Sequence, residues 1–204
     1  MEAVPAMALS LILGYSLGAI PTGALVARAH GVDLTTHGSR RTGATNVLRT
    51  LGPRAAMLVF AGDFAKGVAA VLVARMLSDG APWPQVVANA AAVLGHSFSP
   101  FLGWRGGRGV VTAMGGLAVL WPQAALLSVI FGSMTVAATR YVSLGSMIGA
   151  LAGGLSLIAF AVSAGQGPAY LAYGLLVPLF LVLSHRDNIE RILSGTERKL
   201  GEKA

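Results

Sequence analysis

The strongest constraint in this sequence is a series of long apolar runs from which charged residues are almost absent. A helix that crosses the hydrocarbon core of a bilayer needs about 20 mostly apolar residues. The runs are separated by short polar segments, so the pattern predicts an all-α, polytopic membrane bundle with about seven transmembrane helices. The predicted spans are residues 4–27, 55–77, 84–94, 110–120, 123–139, 144–163 and 169–184.

Composition supports a membrane protein. Charged residues make up 11% of the chain, whereas a soluble domain carries roughly 25%. Too little polar surface is therefore present to cover a soluble globule. The absence of cysteine excludes a thiol nucleophile, a disulfide framework and a thiolate metal site. No group of Asp, Glu and His has the spacing of metal ligands, so neither a metal nor another cofactor is expected.

The basic residues predict an orientation. Nearly all of the 15 Lys and Arg residues lie in alternate connections between the apolar runs, and positively charged loops stay cytoplasmic. If residues 95–109 form a loop that dips into a polar cavity, the N-terminus lies outside and the C-terminus inside. The net charge of +7 then reflects topology and not nucleic-acid binding. We expect one membrane domain, residues 1–204, in which 186–204 form a short cytoplasmic helix and tail.

A first polar segment, residues 38–49, lies between the first two predicted spans. It contains two glycines, three small hydroxyl side chains, an amide and three guanidinium groups. Glycine lets backbone N–H groups approach an anion closely, and turns of this kind form anion-binding nests. A polar loop that only obeys the positive-inside rule would have a similar composition, and both interpretations stay open at this point.

A second polar segment, residues 95–112, contains the core sequence Arg-Gly-Gly-Arg-Gly at 105–109, directly before an apolar run. N–H groups at a helix N-terminus, together with two arginines, predict a phosphate cradle. The segment lacks both the preceding strand and the Gly-Lys-Ser/Thr of a nucleotide-binding loop. The alternative is a flexible connection between helices.

A third polar segment, residues 185–197, follows the last predicted span. His185 and Asn188 stand three positions apart, so on a helix both can face one ligand. The alternative is an interfacial histidine beside a solvated charged face.

Two ionisable residues, Asp63 and Lys66, also three positions apart, lie inside the second predicted span. Ionisable groups there are costly and usually paired, so we interpret them as a structural ion pair and not as direct chemistry.

Together these segments resemble the PlsY family, the bacterial acyl-phosphate:glycerol-3-phosphate acyltransferases. The resemblance runs from Ile20-Pro21-Thr22-Gly23 to Glu197. Two departures stand out: Arg40-Arg41 replaces the usual Gly-Asn, and Arg replaces the usual Lys at 105 and 108, which exchanges a point charge for a planar fork. The matching positions are Gly38-Ser39, Gly43-Ala44-Thr45-Asn46 and Arg49; Gly95-His96-Ser97-Phe98-Ser99-Pro100, Arg105-Gly106-Gly107-Arg108-Gly109-Val110 and Thr112; and His185, Asn188-Ile189, Arg191, Gly195 and Glu197.

The resemblance implies a multi-pass enzyme of the bacterial cytoplasmic (inner) membrane. It would transfer a fatty acyl group from acyl phosphate to glycerol 3-phosphate, giving lysophosphatidic acid and phosphate, the first step of phospholipid synthesis. Acyl phosphate already carries a good leaving group, so no covalent Ser or Cys intermediate is required. The implied partners are the two substrates and the lipid bilayer, with no nucleic acid and no obligatory protein partner.

The resemblance also implies site residues. The catalytic set is His185, Ser39 and Arg105, and Arg105 would neutralise the departing phosphate. Phe101 and Trp104 would border the acyl entrance. The acyl-phosphate head would be held by Ser39, Gly43, Thr45, Asn46 and the backbone of residues 106–109, and glycerol 3-phosphate by Arg49, Arg108, Ser143, His185 and Asn188. The complete substrate-binding set is Gly38, Gly43, Thr45, Asn46, Arg49, Gly106, Gly107, Arg108, Gly109, Ser143 and Asn188.

The base that removes the proton of the acceptor hydroxyl stays open between His185 and the donor's own phosphate. We favour the substrate-assisted route, with His185 orienting the acceptor, although an imidazole near neutrality is a competent base.

Two other classes of protein are alternatives to an enzyme. A transporter or channel for an organic anion would explain the intramembrane charges, but a carrier needs a midplane site reachable from both faces. A non-catalytic scaffold would leave the polar segments without a role.

Overall fold

The structure, a computed structural model, describes residues 3–202, and all regular structure within them is helical. The predicted all-α class is confirmed. A 3-10 turn, Pro100–Leu102, lies between the fifth and sixth α-helices. The α-helices are α1 Ala3–Ala19, α2 Thr22–Ala29, α3 Ala44–Leu51, α4 Pro53–Leu77, α5 Pro82–Ser97, α6 Val110–Leu120, α7 Pro122–Thr139, α8 Val142–Ser163, α9 Pro168–Ser184 and α10 Arg186–Leu193.

Within residues 3–202, four segments are long and apolar enough to cross a membrane: Val4–Ala29, Pro53–Leu77, Pro122–Thr139 and Val142–Ser163. A fifth arises if α9 and α10, which meet at 58°, are counted as one bent span. The third and fourth predicted spans form the shorter helices α5 and α6, of 16 and 11 residues. A membrane bundle is therefore supported, whereas the number seven and the orientation stay predictions.

The first predicted span, residues 4–27, is confirmed as the candidate membrane span Val4–Ala29, but a break divides it into two helices. Helix α1 ends at Ala19 and α2 begins at Thr22, with Ile20 and Pro21 outside both. Proline has no N–H to donate, and it disfavours helical geometry in the residue before it. The break leaves the Ile20 carbonyl available to a side chain from α4.

Proline stands at the start of four of the other helices. Pro53, Pro82, Pro122 and Pro168 each stand at the first or second position of α4, α5, α7 and α9. Its fixed φ suits the first helical turn, and its missing N–H would have no helical acceptor there. These prolines mark where the apolar runs begin as helices.

The described residues form two compact units, and residues 3–116 with 201–202 make up the first. Small residues bring α1 and α5 close together in this unit. A Cβ at Gly14 or Gly18 would collide with the backbone of Ala88 or Ala92 on α5, and one at Gly95 would collide with the Tyr15 carbonyl on α1. Such small-residue contacts are a common means of packing helices in membranes. Two glycines four positions apart in an apolar run predict packing of this kind, and the structure confirms it for Gly14 and Gly18.

The second unit, residues 117–200, packs its helices through glycine as well. Gly145, Gly149 and Gly153 on α8 face α7, where a Cβ at Gly149 would lie 2.8 Å from the Ser128 carbonyl oxygen. Their spacing of four residues in an apolar run predicts such a packing face, and the structure confirms it. On α9, Gly174 meets α8 one turn before Pro178, the proline inside that helix.

The orientation predicted from the basic residues can be tested by cysteine labelling, because the chain contains no cysteine of its own. Single cysteines at the exposed positions Thr36, Phe101 and Ser194 should react with an impermeant maleimide only from the cytoplasmic side. Cysteines at the exposed positions Ala81 and Gln166 should react only from the outside. Outside labelling at Phe101 would place the loop after α5 on the wrong side and contradict the seven-span topology.

Candidate active site

The first polar segment is held in shape by Asn46. Its side-chain oxygen accepts a hydrogen bond from the Ser39 N–H at 3.0 Å, and its amide donates to the carbonyls of His37 and Arg41 at 3.1 and 2.8 Å. Asn46 is buried, so it joins the loop rigidly to the first turn of α3. Direct binding of substrate by Asn46 stays a prediction. The hydrogen bonds give Asn46 a second, structural role, which is to hold the backbone of the loop in place.

The same segment ends at a helix N-terminus. Gly43 is the extended N-cap residue before α3, and Thr45 and Arg49 follow within the helix. The first N–H groups of a helix have no acceptor within the helix and attract anions. Gly38 has a φ of +59°, which glycine adopts at little cost. The structure thus brings the predicted residues 38–49 together around one loop and one helix start.

The glycines of the second polar segment are required by close packing. The N–H groups of Gly106 and Gly107 donate to the carbonyls of Ser97 and His96 at 3.0 and 3.2 Å, which folds the turn back onto the end of α5. A Cβ at Gly106 would collide with the His96 carbonyl, and one at Gly107 with the His96 ring. The N–H groups of Gly106 and Gly107 already donate to these carbonyls, so Gly106 and Gly107 shape the predicted phosphate cradle. The N–H groups that can face an anion are those at the start of α6.

The two arginines of this segment differ in exposure. Arg105 is exposed, and Arg108 is half-buried beside the buried Gly107 and Gly109. Arg105 lines an open depression of about 500 Å³, which also contains Arg40 from the first polar segment. The depression therefore carries two guanidinium groups, at two positions where this chain departs from the usual family pattern. Its other lining residues are Thr35, Leu102 and Gly103.

Asp63 and Lys66 form the predicted ion pair, at 2.9 Å. The pair is buried, and Lys66 also donates to the Ile20 carbonyl at 3.1 Å, at the break between α1 and α2. Lys66 Nζ lies 2.8 Å from Nδ1 of His96. His96 is one of the positions that match the family, but no role was predicted for it; it lies in the last turn of α5, between the buried residues Gly95 and Ser97.

In the second unit, Glu197 gathers three side chains. Its Oε1 accepts hydrogen bonds from Ser143 Oγ and Asn188 Nδ2, both at 2.6 Å. Its Oε2 accepts from Arg191 Nε at 2.8 Å. The predicted residues Ser143 and Asn188 are thus brought together by a carboxylate to which the sequence analysis assigned no role. In the sequence, the only indication of a role for Glu197 is its position at the end of the third polar segment.

The charge of Glu197 is well supported. Burial raises the pKa of Glu197, but hydrogen bonds from Ser143, Asn188 and Arg191 outweigh burial and hold the pKa below its ordinary value. The carboxylate is therefore ionised at neutral pH and accepts from all three donors. Both Ser143 Oγ and Asn188 Nδ2 are directed to this acceptor, and the remaining acceptor atoms of Ser143 and Asn188 can face a ligand.

His185 is not on a continuous helix with Asn188, which corrects the predicted geometry. It is the junction residue between α9 and α10, which meet at 58°. Both residues are nevertheless buried, and the Asn188 N–H donates to the His185 carbonyl at 2.8 Å. His185 Nδ1 lies 2.7 Å from the Leu181 carbonyl oxygen. A carbonyl only accepts, so Nδ1 carries the hydrogen and Nε2 of the neutral ring is an acceptor.

These elements define an all-helical membrane protein with backbone and side-chain donors at its loops and helix starts, where anions are often bound. Among residues 3–202, no three His, Asp or Glu side chains are arranged to hold a metal ion. The donors come from loops and helix starts, and the described cysteine-free chain presents no thiolate. In each unit, donors of this kind suit the binding of phosphate or other polar groups.

Comparison with known proteins agrees with this class. A family model described as glycerol-3-phosphate acyltransferase matches residues 8–195. Glycerol-3-phosphate acyltransferase 1 of Deinococcus radiodurans is 46% identical over 197 residues, covering 96% of each chain. The crystal structure of PlsY, an integral membrane glycerol 3-phosphate acyltransferase, in its glycerol 3-phosphate form is 35% identical, with a TM-score of 0.88 and 96% of each chain covered. The lysophosphatidic acid form gives a TM-score of 0.86 over 96% of this chain and 95% of that one.

The chain belongs to the glycerol-3-phosphate acyltransferase family. The resemblance to PlsY drawn from the three polar segments is confirmed, and so is the class of enzyme, a membrane acyltransferase. Both the transporter and the scaffold interpretations are set aside by these matches. The roles of individual site residues stay predictions.

Proposed function

We propose that the protein transfers a fatty acyl group from acyl phosphate to glycerol 3-phosphate, at the cytoplasmic face of a bacterial inner membrane. The hydroxyl oxygen of glycerol 3-phosphate attacks the acyl carbon, and the bond from that carbon to the phosphate oxygen breaks. The products are lysophosphatidic acid and inorganic phosphate. The observation that carries this proposal is the Glu197 cluster, which orients Ser143 and Asn188 in the way a small polar acceptor requires.

Each polar segment has a proposed part. The first segment binds the phosphate of the donor through Ser39, Thr45 and the N-terminus of α3, whose shape Asn46 maintains. In the second segment, the start of α6 adds N–H groups to the donor site, and Arg105 neutralises the departing phosphate. Ser143, His185 and Asn188 hold the acceptor. Arg49 and Arg108 are proposed to pair with the phosphate of glycerol 3-phosphate, since guanidinium groups bind phosphate in a bidentate way.

The proton of the acceptor hydroxyl is proposed to move to the donor's own phosphate. A phosphate oxygen becomes more basic as the acyl bond breaks, so it can take the proton without a protein base. His185 would then orient the hydroxyl through Nε2, the acceptor nitrogen of its neutral ring. This arrangement requires no nucleophilic side chain, in agreement with the absence of cysteine.

The proposal can be tested with purified protein in detergent, given a long-chain acyl phosphate and glycerol 3-phosphate. We expect phosphate release that depends on glycerol 3-phosphate, with one lysophosphatidic acid formed for each phosphate. A parallel reaction with the same acyl chain on coenzyme A tests the donor class. Transfer from the thioester and not from acyl phosphate would contradict the donor, and phosphate release without glycerol 3-phosphate would indicate a hydrolase.

Arg108→Ala should lower kcat/KM for glycerol 3-phosphate about tenfold or more, because a hydrogen bond to a charged group is worth roughly 1.5–3 kcal/mol. Most of the loss should fall on KM, since the cation binds the phosphate in the ground state as well as in the transition state. Arg108→Lys should retain part of the activity, as the family resemblance indicates. Arg198→Ala, at an exposed basic position outside the polar segments, is the matched control. Normal kinetics for Arg108→Ala would show that this arginine does not bind the acceptor.

A further inference from the structure

His96 connects the buried ion pair of α4 to the glycine turn before α6. Its Nδ1 lies 2.8 Å from Lys66 Nζ and 3.4 Å from Asp63 Oδ1. On the other side of the ring, Nε2 occupies the space that a Cβ at Gly107 would need. The His96 side chain is only 7% exposed. Neither its burial nor its contacts are explained by helix packing alone, since a leucine would fill the same volume without a polar atom.

The contacts of Lys66 determine which nitrogen of His96 carries the hydrogen. An ammonium group has three donors and no acceptor. Lys66 directs them to Asp63 Oδ1 at 2.9 Å, to the Ile20 carbonyl at 3.1 Å and to His96 Nδ1 at 2.8 Å. Because the Lys66 ammonium is paired with Asp63 and only donates, Nδ1 of His96 is assigned as the acceptor, which places the ring hydrogen on Nε2. The ion pair thus fixes one tautomer of a buried histidine.

The Nε2–H donor lies at the turn that leads into α6. The hydrogen bond and the ion-pair contact of the His96 side chain both involve Nδ1, on the side of the ring away from this turn. Gly107 leaves this nitrogen uncovered, because any side chain there would occupy its position. The N-terminus of α6 begins three residues later, at Val110. An anion at this turn would accept from the first N–H groups of α6 and from His96 Nε2.

We propose that His96 is a substrate-contacting residue whose Nε2–H donates to a phosphate oxygen of the acyl donor at the turn formed by residues 106–109. Asp63 and Lys66 are then positioning residues, which hold the ring in the tautomer that donates from Nε2. The glycine at 107 is required for access of the ligand to the donor as well as for packing. This inference rests on the proposed function, since it assigns a ligand atom to the phosphate of that substrate.

Two substitutions separate the donor from the volume of the ring. The amide nitrogen of Gln can reach the position of Nε2, whereas that of Asn reaches only the position of Nδ1. His96→Asn should raise KM for acyl phosphate about tenfold, the usual effect of losing a hydrogen bond to a charged group, and leave KM for glycerol 3-phosphate unchanged. His96→Gln should stay within about threefold of the wild type. His30→Asn, at an exposed histidine that also contacts a backbone carbonyl, is the matched control. Equal losses in His96→Asn and His96→Gln would overturn the proposed contact.

Nitrogen-15 NMR of histidine-labelled protein tests the tautomer without any turnover. The chain has four histidines, and His96→Gln identifies the resonances of one of them. We expect a single Nε2-protonated form that Lys66→Met converts to a mixture of tautomers. The Nε2 resonance should shift on titration with inorganic phosphate, or with a long-chain β-ketophosphonate in which a methylene replaces the bridging oxygen of the donor.

The outcomes distinguish failure of this inference from failure of the proposed function. Protonation on Nδ1, or an unmoved Nε2 resonance while the β-ketophosphonate competes for the donor site, would overturn the role of His96. A wild-type protein that transfers no acyl group from acyl phosphate would contradict the proposed function. In that case, a shift of Nε2 with inorganic phosphate would still support an anion contact at this turn.

Discussion

Glu197→Gln is expected to lower kcat/KM for glycerol 3-phosphate about hundredfold. The ionised carboxylate accepts from Ser143, Asn188 and Arg191 at 2.6, 2.6 and 2.8 Å. An amide has one acceptor oxygen, and its nitrogen points donors at the remaining partner. At least one of the three donors therefore loses its acceptor, and such a loss costs about 1–3 kcal/mol where the donor is buried. A loss of about 2.7 kcal/mol corresponds to a hundredfold change in rate.

The measurement is steady-state kinetics on detergent-purified protein, with the melting temperature followed in parallel. Glu190→Gln is the matched control, because it makes the same change at an exposed position on α10, the helix that carries Asn188 and Arg191. The double variant Ser143→Ala with Glu197→Gln should lose less than the sum of the two single losses, since the two residues share one hydrogen bond. Additive losses, or normal kinetics for Glu197→Gln, would show that the cluster does not orient the acceptor.

His185→Asn is expected to raise KM for glycerol 3-phosphate about ten- to hundredfold, with a smaller change in kcat, if His185 orients the acceptor. Asparagine keeps hydrogen-bonding groups at this position but takes up no proton near neutral pH. General base catalysis by His185 would instead appear as a loss in kcat of about 10²–10⁴-fold. Arg186→Ala, at the neighbouring exposed position, controls for disturbance of the bend between α9 and α10.

The pH profile gives an independent test of the same residue. A histidine base should put a limb on kcat around pH 6–7 that disappears in His185→Asn. Glu197 does not produce such a limb, because its pKa lies below the ordinary value of the carboxyl. The interactions of ionised Glu197 are fully present above that ordinary value of about 4.3 and are lost only as the pH falls through the lower folded value. A limb near neutrality that vanishes with a large kcat loss would make His185 the base, against our proposal.

Contacts of single residues explain why some of the sequence predictions needed correction. Pro21 is visible in the sequence as a helix breaker. Because the residues on both sides of it are apolar, the sequence pattern did not show that α1 ends at Ala19. His185 and Asn188 have helical spacing in the sequence, yet the bend of 58° places His185 between two helices. Local spacing predicts which residues share a face only while the helix is continuous, and the packing of distant segments decides where it ends.

The sequence by itself determined the solvent and the chemistry of this protein. Its long apolar runs indicate a bilayer as the solvent. In lipid the backbone groups can be satisfied only within the protein, and a helix satisfies its own. Its three polar segments, with their glycines and arginines, predicted anion binding, and their order along the chain identified the family. These properties depend on residue type and on short spacings, and neither changes when the chain folds.

Only the tertiary structure decided which polar residues act on one another. Glu197 lies 54 positions from Ser143, its hydrogen-bond partner. Lys66 lies 30 positions from His96, with which it shares a buried hydrogen bond. No period in the sequence joins such pairs, because the approach of two helices depends on their glycines, prolines and side-chain volumes taken together. The tautomer of His96, the acceptor for Ser143 and Asn188, and the use of the Gly106 and Gly107 N–H groups inside their own turn all follow from that packing.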